Sequence, residues 1–488
     1  MATDDLRSER LKKLELMQRA GIDPYPAESN PTHNSISFQN SFQVLYDAKQ
    51  VVTLDGRVMS LRDQGGIVFL DLFDGTGRVQ VLIKKDQIGD RTFEDFLEFV
   101  SISDFIEVSG TPFVTKRGVN SLLGSSWRML AKSIRQVPDE WFGLKDEDER
   151  YRKRYLDILL SPEVVELIKK RSIFWNAIRY FMLDRGFVEV ETPILETKTG
   201  GAEARPFITR HNALDIDVYL RISHELWHKK LIIGGLPKVF EIGRVFRNEG
   251  MSYEHAQDYT HFEFYEAYKD SREGIPMLIE LYRKIAQDTF GTLQFTISEH
   301  TVDLANEWQD LDYNELMQKQ YGFDPREVSQ SPNEGRNLIR KHFDPAYDGD
   351  ITQTGRAVDF LWKQIRKTIS GPAILTGMPV YLEPLAKKSK QDPRVVDRFQ
   401  ILLGGSEVGK AFNELNDPID QRSRFENQQM LRDAGDEEAQ MADFEYVEAL
   451  EYGMPPTFGF GVSERLFSFL AGKSIRESQL FPLMRPKQ

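Results

Sequence analysis

The sequence contains no cysteine among its 488 residues. This absence excludes disulfide bonds, thiolate metal sites and cysteine nucleophiles, and it suits a reducing compartment. The chain also lacks any run of the ~18 consecutive apolar residues that a membrane-spanning helix needs. Its first stretch, MATDDLRSERLKK, is charged and has no apolar centre, unlike a secretory signal. We therefore expect a cytoplasmic protein with no membrane partner.

Basic residues are also fewer than acidic ones. The chain has 63 lysines and arginines against 76 acidic residues, a net charge of −13 and a pI near 5.3. This balance argues against a protein held on DNA by bulk charge, so we expect no DNA partner. A local basic face would still allow RNA binding. Neither GxGxxG nor GxxxxGK[ST] occurs at the glycines singled out below, so a Rossmann site or a P-loop is not supported.

The residue composition and hydrophobic pattern change along the chain. Residues 1–50 are polar and are expected to form an N-terminal helical segment. Residues 51–138 hold about five short β-rich runs separated by turn residues, which predicts a small barrel. Residues 139–150 are rich in charge and are interpreted as a linker. Residues 151–488 mix helices and strands, and the part near 270–370 carries no recognisable motif, so we interpret it as an insertion.

Residues 238–268 predict two strands with a long connection. Strand alternation gives each of them one charged or aromatic face, made of Glu241, Gly243 and Arg247 in the first strand and Tyr259, His261, Glu263 and Tyr265 in the second. Such a face suits the floor of a ligand site, where Arg247 holds a phosphate or a carboxylate. Glu249 and Glu263 would accept from amino groups. The alternative is the solvated face of an edge hairpin.

Two further clusters are candidates for binding. Glu407 and Glu414 follow an apolar run and would bind a cation or an ammonium group. The alternative is surface acid, which is common in so acidic a chain. Gly459 and Gly461 precede a helix that bears Arg465, an arrangement that lets a nucleotide approach the backbone while the arginine neutralises phosphate. A lone GxG is by itself weak evidence.

Taken together, these clusters resemble the ordered signature motifs of the class II aminoacyl-tRNA synthetases, and specifically of the lysyl-tRNA synthetases. Seven stretches carry the resemblance in family order: RYRKRYLD at 151–158, RGFVEVETPIL at 185–195, GGAEARPF at 200–207, FRNEG at 246–250, ELNDP at 414–418, ALEYGMPPT at 449–457 and LFPLMRP at 480–486.

The resemblance implies an α+β fold. An N-terminal OB-fold barrel that binds the anticodon, residues 51–138, would precede a class II catalytic domain, residues 151–488, built on an antiparallel sheet flanked by helices. The helix after Ser161 and the strand that ends at Pro193 would form a homodimer interface. The implied substrates are lysine, ATP and tRNA(Lys), with Mg²⁺ bound through the phosphates.

The resemblance also implies roles for individual residues. Arg247 and Arg465 would be the catalytic residues, gripping the phosphates of ATP. The implied ATP contacts are Arg247, Glu249, His255, Tyr259, Gln400, Glu407 and Arg465, with Glu407 as the metal ligand. The implied lysine contacts are Gly201, Glu225, Arg247, Glu263, Tyr265, Lys410, Phe412 and Glu414. The implied anticodon contacts are Arg57, Phe69 and Gln80. The alternative for Phe69 is core packing.

The sequence departs from the family pattern at two of these positions. Gln400 stands where the family usually has a Mg²⁺-binding glutamate, and Lys410 stands at a usual asparagine. Our hypothesis is that Lys410 replaces part of the metal's charge and leaves fewer Mg²⁺ sites around Glu407; the alternative is that Lys410 points to solvent. In the barrel, Val119 or Asn120 aligns with the family's anticodon-reading glutamate, so recognition of one base is expected to differ.

Three other functions stay open from the sequence. One is a synthetase paralogue that loads a protein or a small molecule, although such paralogues typically lack the barrel. A second is a non-catalytic RNA-binding regulator, which the retained Arg247, Glu263 and Arg465 oppose. A third is an aspartate or asparagine enzyme of the same subclass, which would need a cation in the pocket. Lys410 is a candidate for that cation, but the carboxylates of Glu263 and Glu414 oppose aspartate.

Overall fold

The computed structural model describes residues 3–138, 146–250, 252–297, 299–349, 351, 353–436 and 438–487. They belong to two compact units, Met1–Lys145 and Asp146–Gln488. Within the described ranges, no helix has the length and apolar character that crossing a membrane requires.

The first unit is a closed five-stranded barrel with short helices. Its strands are β1 Val52–Asp63, β2 Ile67–Phe73, β3 Arg78–Lys84, β4 Phe105–Val114 and β5 Asn120–Ala131, joined in the order β1-β2-β3-β5-β4. Its helices are α1 Thr3–Arg19, α2 Ser35–Asn40, α3 Phe42–Asp47, α4 Lys85–Ile88 and α5 Asp90–Phe99. Alternate strand residues such as Val68, Leu70 and Leu72 point inward and are buried. The expected barrel is thus confirmed, with its strands lying between residues 52 and 131.

The N-terminal helices share the barrel's apolar core. Met17 of α1, Phe38 of α2, and Phe42 and Leu45 of α3 are buried against the inward-facing strand residues. Asn34 caps α2 by accepting a 2.8 Å hydrogen bond from the Ser37 amide, as expected for asparagine at a helix start. Residues 1–50 are therefore helical in part and belong to the same unit as the barrel.

The second unit is built on an eight-stranded sheet in the order β14-β15-β16-β17-β18-β11-β10-β6. The strands of this unit are β6 Val188–Glu189, β7 Leu195–Glu196, β8 Ile208–His211, β9 Ile216–Leu220, β10 Lys238–Phe246, β11 Asp258–Ala267, β12 Gln294–Ile297, β13 His300–Asp303, β14 Gln309–Asp312, β15 Ala373–Thr376, β16 Arg398–Leu403, β17 Ser406–Asn413 and β18 Thr457–Ser463. Neighbours pair antiparallel from β15 to β10, while the edge strands β14 and β6 pair parallel. The remaining short strands form a β7-β9-β8 sheet and a β12-β13 hairpin.

Helices flank this sheet. They are α6 Glu147–Arg152, α7 Arg154–Leu160, α8 Pro162–Leu183, α9 Glu225–Ile233, α10 Ser271–Phe290, α11 Tyr313–Tyr321, α12 Pro332–His342, α13 Thr354–Arg366, α14 Pro418–Asp433, α15 Phe444–Glu451, α16 Arg465–Leu470 and α17 Ile475–Ser478, with 3₁₀ turns at Pro325–Glu327 and Val380–Leu382. Helix α8 starts with a proline, whose missing N–H needs no partner there, and buries Phe174 and Ile178 in one core with Leu281 of α10.

The structure differs from the sequence expectations in three places. Residues 139–145 of the expected linker lie outside the described residues, but 147–150 belong to α6, because Asp146 accepts a 2.8 Å hydrogen bond from the Glu149 amide and starts a helix. The strand expected at FVEVETP is reduced to β6. The segment near 270–370, whose sequence pattern predicts helices and loops, also contains the strands β12–β14, and β14 joins the main sheet at its edge.

Candidate active site

A cavity of about 400 Å³ opens over the polar face of the central strands. The expected hairpin is present, and its register places Glu241 opposite Glu263, Gly243 opposite His261 and Val245 opposite Tyr259. The expected site residues that line the cavity are Gly201, Glu225, Arg247, Tyr259, Glu263, Tyr265, Gln400, Glu407, Lys410, Phe412 and Arg465. Pieces of chain more than 250 residues apart in sequence thus meet in one cavity.

We distinguish two ends of this cavity by their residues. The acidic end consists of Glu225, Glu263, Tyr265 and Phe412. The arginine end consists of Arg247, Tyr259, Glu407 and Arg465.

Glu263 is the most firmly held carboxylate of the acidic end. One of its oxygens accepts hydrogen bonds from the Ser223 hydroxyl at 2.8 Å and the His224 amide at 3.1 Å, and the other accepts from the Tyr265 hydroxyl at 2.9 Å. Burial acts to raise its pKa, but the His224 ring, together with the His261 and His228 rings, outweighs burial and holds the pKa well below its ordinary value. Glu263 is therefore a fixed negative charge at the cavity floor.

Lys229 of α9 is a buried cation directly behind this end. Its ammonium group lies 2.5 Å from Glu225 and also contacts Glu414, and the rings of Phe412 and Tyr446 lie 5.3 and 5.9 Å away. Burial raises the pKa of both Glu225 and Glu414, with Lys229 opposing it. A lysine this deep needs such partners, because an unpaired buried charge costs several kcal/mol. The i, i+4 spacing of Glu225 and Lys229 is the sequence signal that would have identified the pair.

Two expected lysine contacts depend on glycines for their position. Gly201 has φ +85° and lies so close to Ser223 and Glu225 that a Cβ there would come within 2.8 Å of both. Glu414 does not line the cavity. Its carboxylate lies just behind Gly459, where any side chain would collide with it. The wall of the cavity is therefore thin at this point.

The arginine end holds its cations loosely. Arg247 makes two long contacts of 3.4 Å to the Ile222 carbonyl, and its guanidinium lies 5.7 Å from the centre of the Tyr259 ring. Arg465 donates to the Glu407 carbonyl at 3.4 Å and lies 3.7 Å from Glu254. Both guanidinium groups thus keep most of their donors for a ligand.

Glu249 and His255 lie on the connection between β10 and β11 and are not among the residues that line the cavity. The exposed His255 ring contacts the Ser252 hydroxyl at 2.6 Å, and the Glu249 amide donates to the Arg247 carbonyl at 2.9 Å. The structure therefore brings the two arginines to one cavity. Glu249 and His255 lie outside its lining but near the arginine end, since the charges of Arg465 and Glu249 act on the pKa of His255 and the charge of Glu249 acts on the pKa of Tyr259.

The environment of Glu407 bears on metal binding. One of its oxygens accepts a 2.7 Å hydrogen bond from the indole nitrogen of Trp362, and Gln400 accepts one from Arg398. Within the described ranges, no group of three or more histidine or acidic side chains is arranged to hold a metal ion. The donor set fits a Mg²⁺ ion carried by phosphates, which typically takes one or two protein carboxylates, and does not fit an all-protein cage.

Lys410 is held by an ion pair. Its ammonium group lies 3.1 Å from Glu383, and the guanidinium of Arg398 lies 2.8 Å from the other oxygen of the same carboxylate. Both cations hold the pKa of the buried Glu383 below its ordinary value against the effect of burial. Lys410 lines the cavity, although its side chain is 42% exposed.

The sequence reasoning missed several lining residues. Those that carry a charge or an aromatic ring are Glu203, Tyr313, Arg356, Asp359, Trp362, Tyr381, Glu383, Arg398 and Phe460. Arg356 of α13 lies 3.0 Å from Glu203 and 3.1 Å from Asp436, so it joins two loops over the cavity. Most of these residues belong to the stretch near 270–370 or directly follow it, where no motif drew attention to them.

In the first unit, the three expected anticodon contacts lie on the outer face of the barrel. Phe69 alternates with the buried Val68 and Leu70 and is half-buried, so it is not part of the core. Gln80 accepts a 3.1 Å hydrogen bond from the Ser121 hydroxyl. Arg57 lies 4.2 Å from the centre of the Phe105 ring. An outward aromatic among polar and basic side chains is the arrangement that stacks on unpaired bases.

Comparison with known families agrees with this architecture. The family described as tRNA synthetases class II (D, K and N) matches residues 146–485, and an OB-fold nucleic acid binding domain matches residues 52–137. The chain belongs to the class II tRNA synthetases of this D, K and N group.

Relatives that match this chain over nearly its full length are lysine–tRNA ligases. The lysine–tRNA ligase of Moorella thermoacetica is 41% identical, and the match covers 100% of this chain and 99% of the relative. That of Halalkalibacterium halodurans is 40% identical over 100% and 98% of the two chains. That of Thermotoga maritima is 38% identical over 99% and 97%.

Proposed function

We propose that the chain activates lysine with ATP and transfers it to tRNA(Lys). One observation carries the proposal: a fixed carboxylate, Glu263, and two loosely held guanidinium groups, Arg247 and Arg465, line a single cavity. A substrate with a cationic side chain and a carboxylate fits between them. Full-length similarity to lysine–tRNA ligases supports the same substrate.

The reaction needs no protein nucleophile. The carboxylate of lysine, ionised at neutral pH, attacks the α-phosphorus of ATP; a bond forms from carboxylate oxygen to phosphorus, and pyrophosphate leaves. Arg247 faces the incoming carboxylate and the α-phosphate, and Arg465 faces the outer phosphates. Their charge stabilises the negative charge of the transition state, so catalysis is mainly positioning and electrostatics. The terminal adenosine of the tRNA then displaces AMP from the adenylate.

Lysine recognition would fall to the acidic end. Tyr265 and Phe412 offer aromatic walls to the side-chain stem, and Glu263 receives the ε-ammonium group. Glu225 and Gly201 would contact the α-ammonium group. A site built to pair with a cation rejects neutral analogues strongly, because its carboxylate is then left unpaired.

The experiment that tests this function is pyrophosphate exchange measured with each proteinogenic amino acid, followed by charging of tRNA(Lys). Exchange driven by lysine, and charging after it, are expected. Exchange without charging would favour a paralogue that loads another acceptor. No exchange with any amino acid would favour a regulator without catalysis. Exchange driven by aspartate or asparagine would contradict the assignment of Glu263.

The acidic end can be tested separately with Glu263→Gln. The variant keeps an acceptor for Ser223 but loses the charge, so the KM for lysine should rise by at least about 10-fold. The KM for ATP should change little, since Glu263 is at the other end of the cavity. A matched control is Glu266→Gln on the same strand, because Glu266 pairs with Lys238 and Lys269 and does not line the cavity.

Mg²⁺ would enter with ATP and use Glu407 as its carboxylate contact. When bound, the ion neutralises phosphate charge. We propose that Lys410, anchored by Glu383, supplies part of this neutralisation and that fewer ions bind around Glu407 than in the rest of the family. Counting metal ions in an ATP-bound crystal structure tests this point. The full set of ions found in the family would contradict it.

The outer face of the barrel would bind the anticodon. Phe69→Ala should weaken tRNA binding by about 1–3 kcal/mol, the usual value of stacking one base. Lysine-dependent pyrophosphate exchange needs no tRNA and should be unchanged. A variant that loses exchange as well would show a folding defect and not a lost base contact.

A homodimer is also part of the proposal. Apolar side chains are exposed along α8 and the β7-β9-β8 sheet, at Ile173 (44% exposed), Tyr180 (59%), Leu195 (49%) and Ile208 (63%). A face of this kind marks an association site. Light scattering should give the mass of two chains, and Tyr180→Glu with Ile208→Asp should give one. We place the reaction in the cytoplasm, where tRNA is charged.

A further inference from the structure

Three histidines cluster beneath the acidic end of the cavity. His224 precedes α9, His228 lies one turn later, and His261 is on β11. The ring of His224 lies 5.7 Å from that of His228 and 6.0 Å from that of His261, centre to centre. His224 and His228 are fully buried. Within the described residues, neither ring nitrogen of His224 has a hydrogen-bond partner at ordinary distance.

The cluster sits on an unusual pair of carboxylates. Glu241 and Glu263 are directly opposite each other on the paired strands β10 and β11. Like charges in this position repel and destabilise a sheet. Arg221 lies 2.7 Å from Glu241 and balances that carboxylate. Among the described residues, no lysine or arginine forms an ion pair with Glu263, whose ion-pair contacts are with the His224 and His261 rings.

The His224 ring bridges the two carboxylates. Its Nε2 lies 3.6 Å from Glu241 and its Nδ1 lies 3.6 Å from Glu263. A neutral imidazole carries a proton on one nitrogen and a lone pair on the other, so either tautomer would point a lone pair at a carboxylate. The imidazolium ion instead points an N–H group at each carboxylate. Gly243 makes room for this bridge, because a Cβ there would come within 2.9 Å of the His224 Nε2.

The other two rings have a different environment. His228 places one nitrogen 3.3 Å from Glu241, and His261 places one nitrogen 3.5 Å from Glu263; the second nitrogen of each ring has no described partner. In each of these rings, one nitrogen can donate to a carboxylate and the other can carry an unpaired lone pair, which is the arrangement of a neutral imidazole. Burial lowers the pKa of His228 and, to about 3, that of His261. The bridging position belongs to His224 alone among the three.

The groups that face His224 define the charge it meets. They are Glu241 on β10, Glu263 and His261 on β11, His228 and the adjacent Glu225 on α9, and Arg221 before it. Arg221 already offsets Glu241, so a proton on His224 offsets Glu263. A substrate ammonium group at Glu263 would then compete with that proton for the same carboxylate.

We propose that His224 is a positioning residue that holds a proton against Glu263 in the empty pocket and releases it to solvent when the ε-ammonium group of lysine reaches Glu263. The positive charge beside Glu263 is thus exchanged, proton for ammonium, and the carboxylate keeps its place throughout. This inference rests on the proposed function, since it takes Glu263 as the ammonium acceptor.

The test is titration calorimetry of lysine binding in two buffers of different ionisation enthalpy, across the range of about pH 5–8 in which histidine charge changes. Up to one proton released per lysine is expected at the acid end of the range, with the Kd for lysine falling as pH rises. The neutral analogue that carries a methyl group in place of the ε-ammonium group should release none. Lysine binding without proton release at any pH would overturn the inference and leave the proposed function intact. Absence of lysine binding would instead overturn the function.

Variants identify the group that releases the proton. His224→Gln keeps a polar side chain but cannot titrate, so proton release should vanish and the Kd for lysine should lose its pH dependence. His228→Gln is the matched control and should keep the release. Release that persists in His224→Gln and vanishes in Glu414→Gln would place the proton on Glu414 and overturn the inference. Should His224→Gln fail to fold, His224→Asn gives the same readout, and the wild-type titration stands without either.

Discussion

The acidic end and the arginine end of the cavity hold their charges in different ways. At the acidic end, Glu263 accepts three hydrogen bonds at 2.8–3.1 Å, and Lys229 is buried between two carboxylates. At the arginine end, the contacts that the guanidinium groups of Arg247 and Arg465 make with described residues are all 3.4 Å or longer. The charged groups of the acidic end are paired within the protein. The guanidinium groups of the arginine end keep most of their N–H donors for a ligand.

This difference follows from what each end must bind. Buried carboxylates need partners before any ligand arrives, since an unpaired buried charge costs several kcal/mol. The guanidinium groups are partly exposed, so water solvates them until phosphate displaces it. Variants at the acidic end should therefore change folding stability first, and variants at the arginine end should change the reaction rate first.

The largest effect is expected from Lys229→Met. The change leaves Glu225 and Glu414 buried together without a cation, so the free energy of unfolding should fall by about 3–5 kcal/mol. Denaturant titration measures this loss. The neighbouring Lys230→Met is the control, because Lys230 is 24% exposed and lies 3.5 Å from Asp443; it should lose about 1 kcal/mol or less. Equal losses in the two variants would contradict the role of Lys229, and Lys229→Met with Glu414→Gln should recover part of the stability.

Arg247→Ala, unlike Lys229→Met, should lower the reaction rate strongly and the stability only slightly. Its contacts to Ile222 are long, so the free energy of unfolding should change by about 1 kcal/mol or less. The kcat of lysine-dependent pyrophosphate exchange should fall by about 10²–10³-fold, the usual cost of one lost transition-state donor. Arg244→Ala on the same strand is the control, because Arg244 pairs with Asp258 and does not line the cavity. A large loss of stability with unchanged kcat would remove the contrast between the two ends.

The hairpin shows how far the sequence could predict this site. Period-two alternation over 238–246 and 258–267 predicted both strands and their polar faces, because a buried apolar face fixes the register of a strand pair. The resemblance to the family supplied Gly201, Glu225 and Lys410 from separate parts of the chain. All three line the cavity with the hairpin residues.

What the sequence could not predict depends on contacts between distant segments. β14 is four residues long and reads QDLD, so only its pairing with β15 makes it a strand. His224 contacts Glu241 of β10 and Glu263 of β11, and these two carboxylates come together only when the two strands pair. Trp362 lies on α13 at a helical spacing that is typical of core packing. The sequence therefore gave no sign that its indole nitrogen donates a hydrogen bond to Glu407.

Trp362→Phe gives the smallest of these effects and tests the contrast within the arginine end. Glu407 is the group of that end with a short side-chain contact, the 2.7 Å hydrogen bond from Trp362. Loss of this bond should lower the free energy of unfolding by about 1–3 kcal/mol, because the acceptor is charged. It should also free a carboxylate oxygen, so the Mg²⁺ concentration for half-maximal pyrophosphate exchange should fall. Trp308→Phe is the matched control, since Trp308 is buried and its indole nitrogen makes a 3.5 Å contact to the Leu304 carbonyl, away from the cavity. That variant should lose stability and keep the Mg²⁺ dependence, whereas a shift of the same size in both would mean that Glu407 is not the carboxylate that meets the ion.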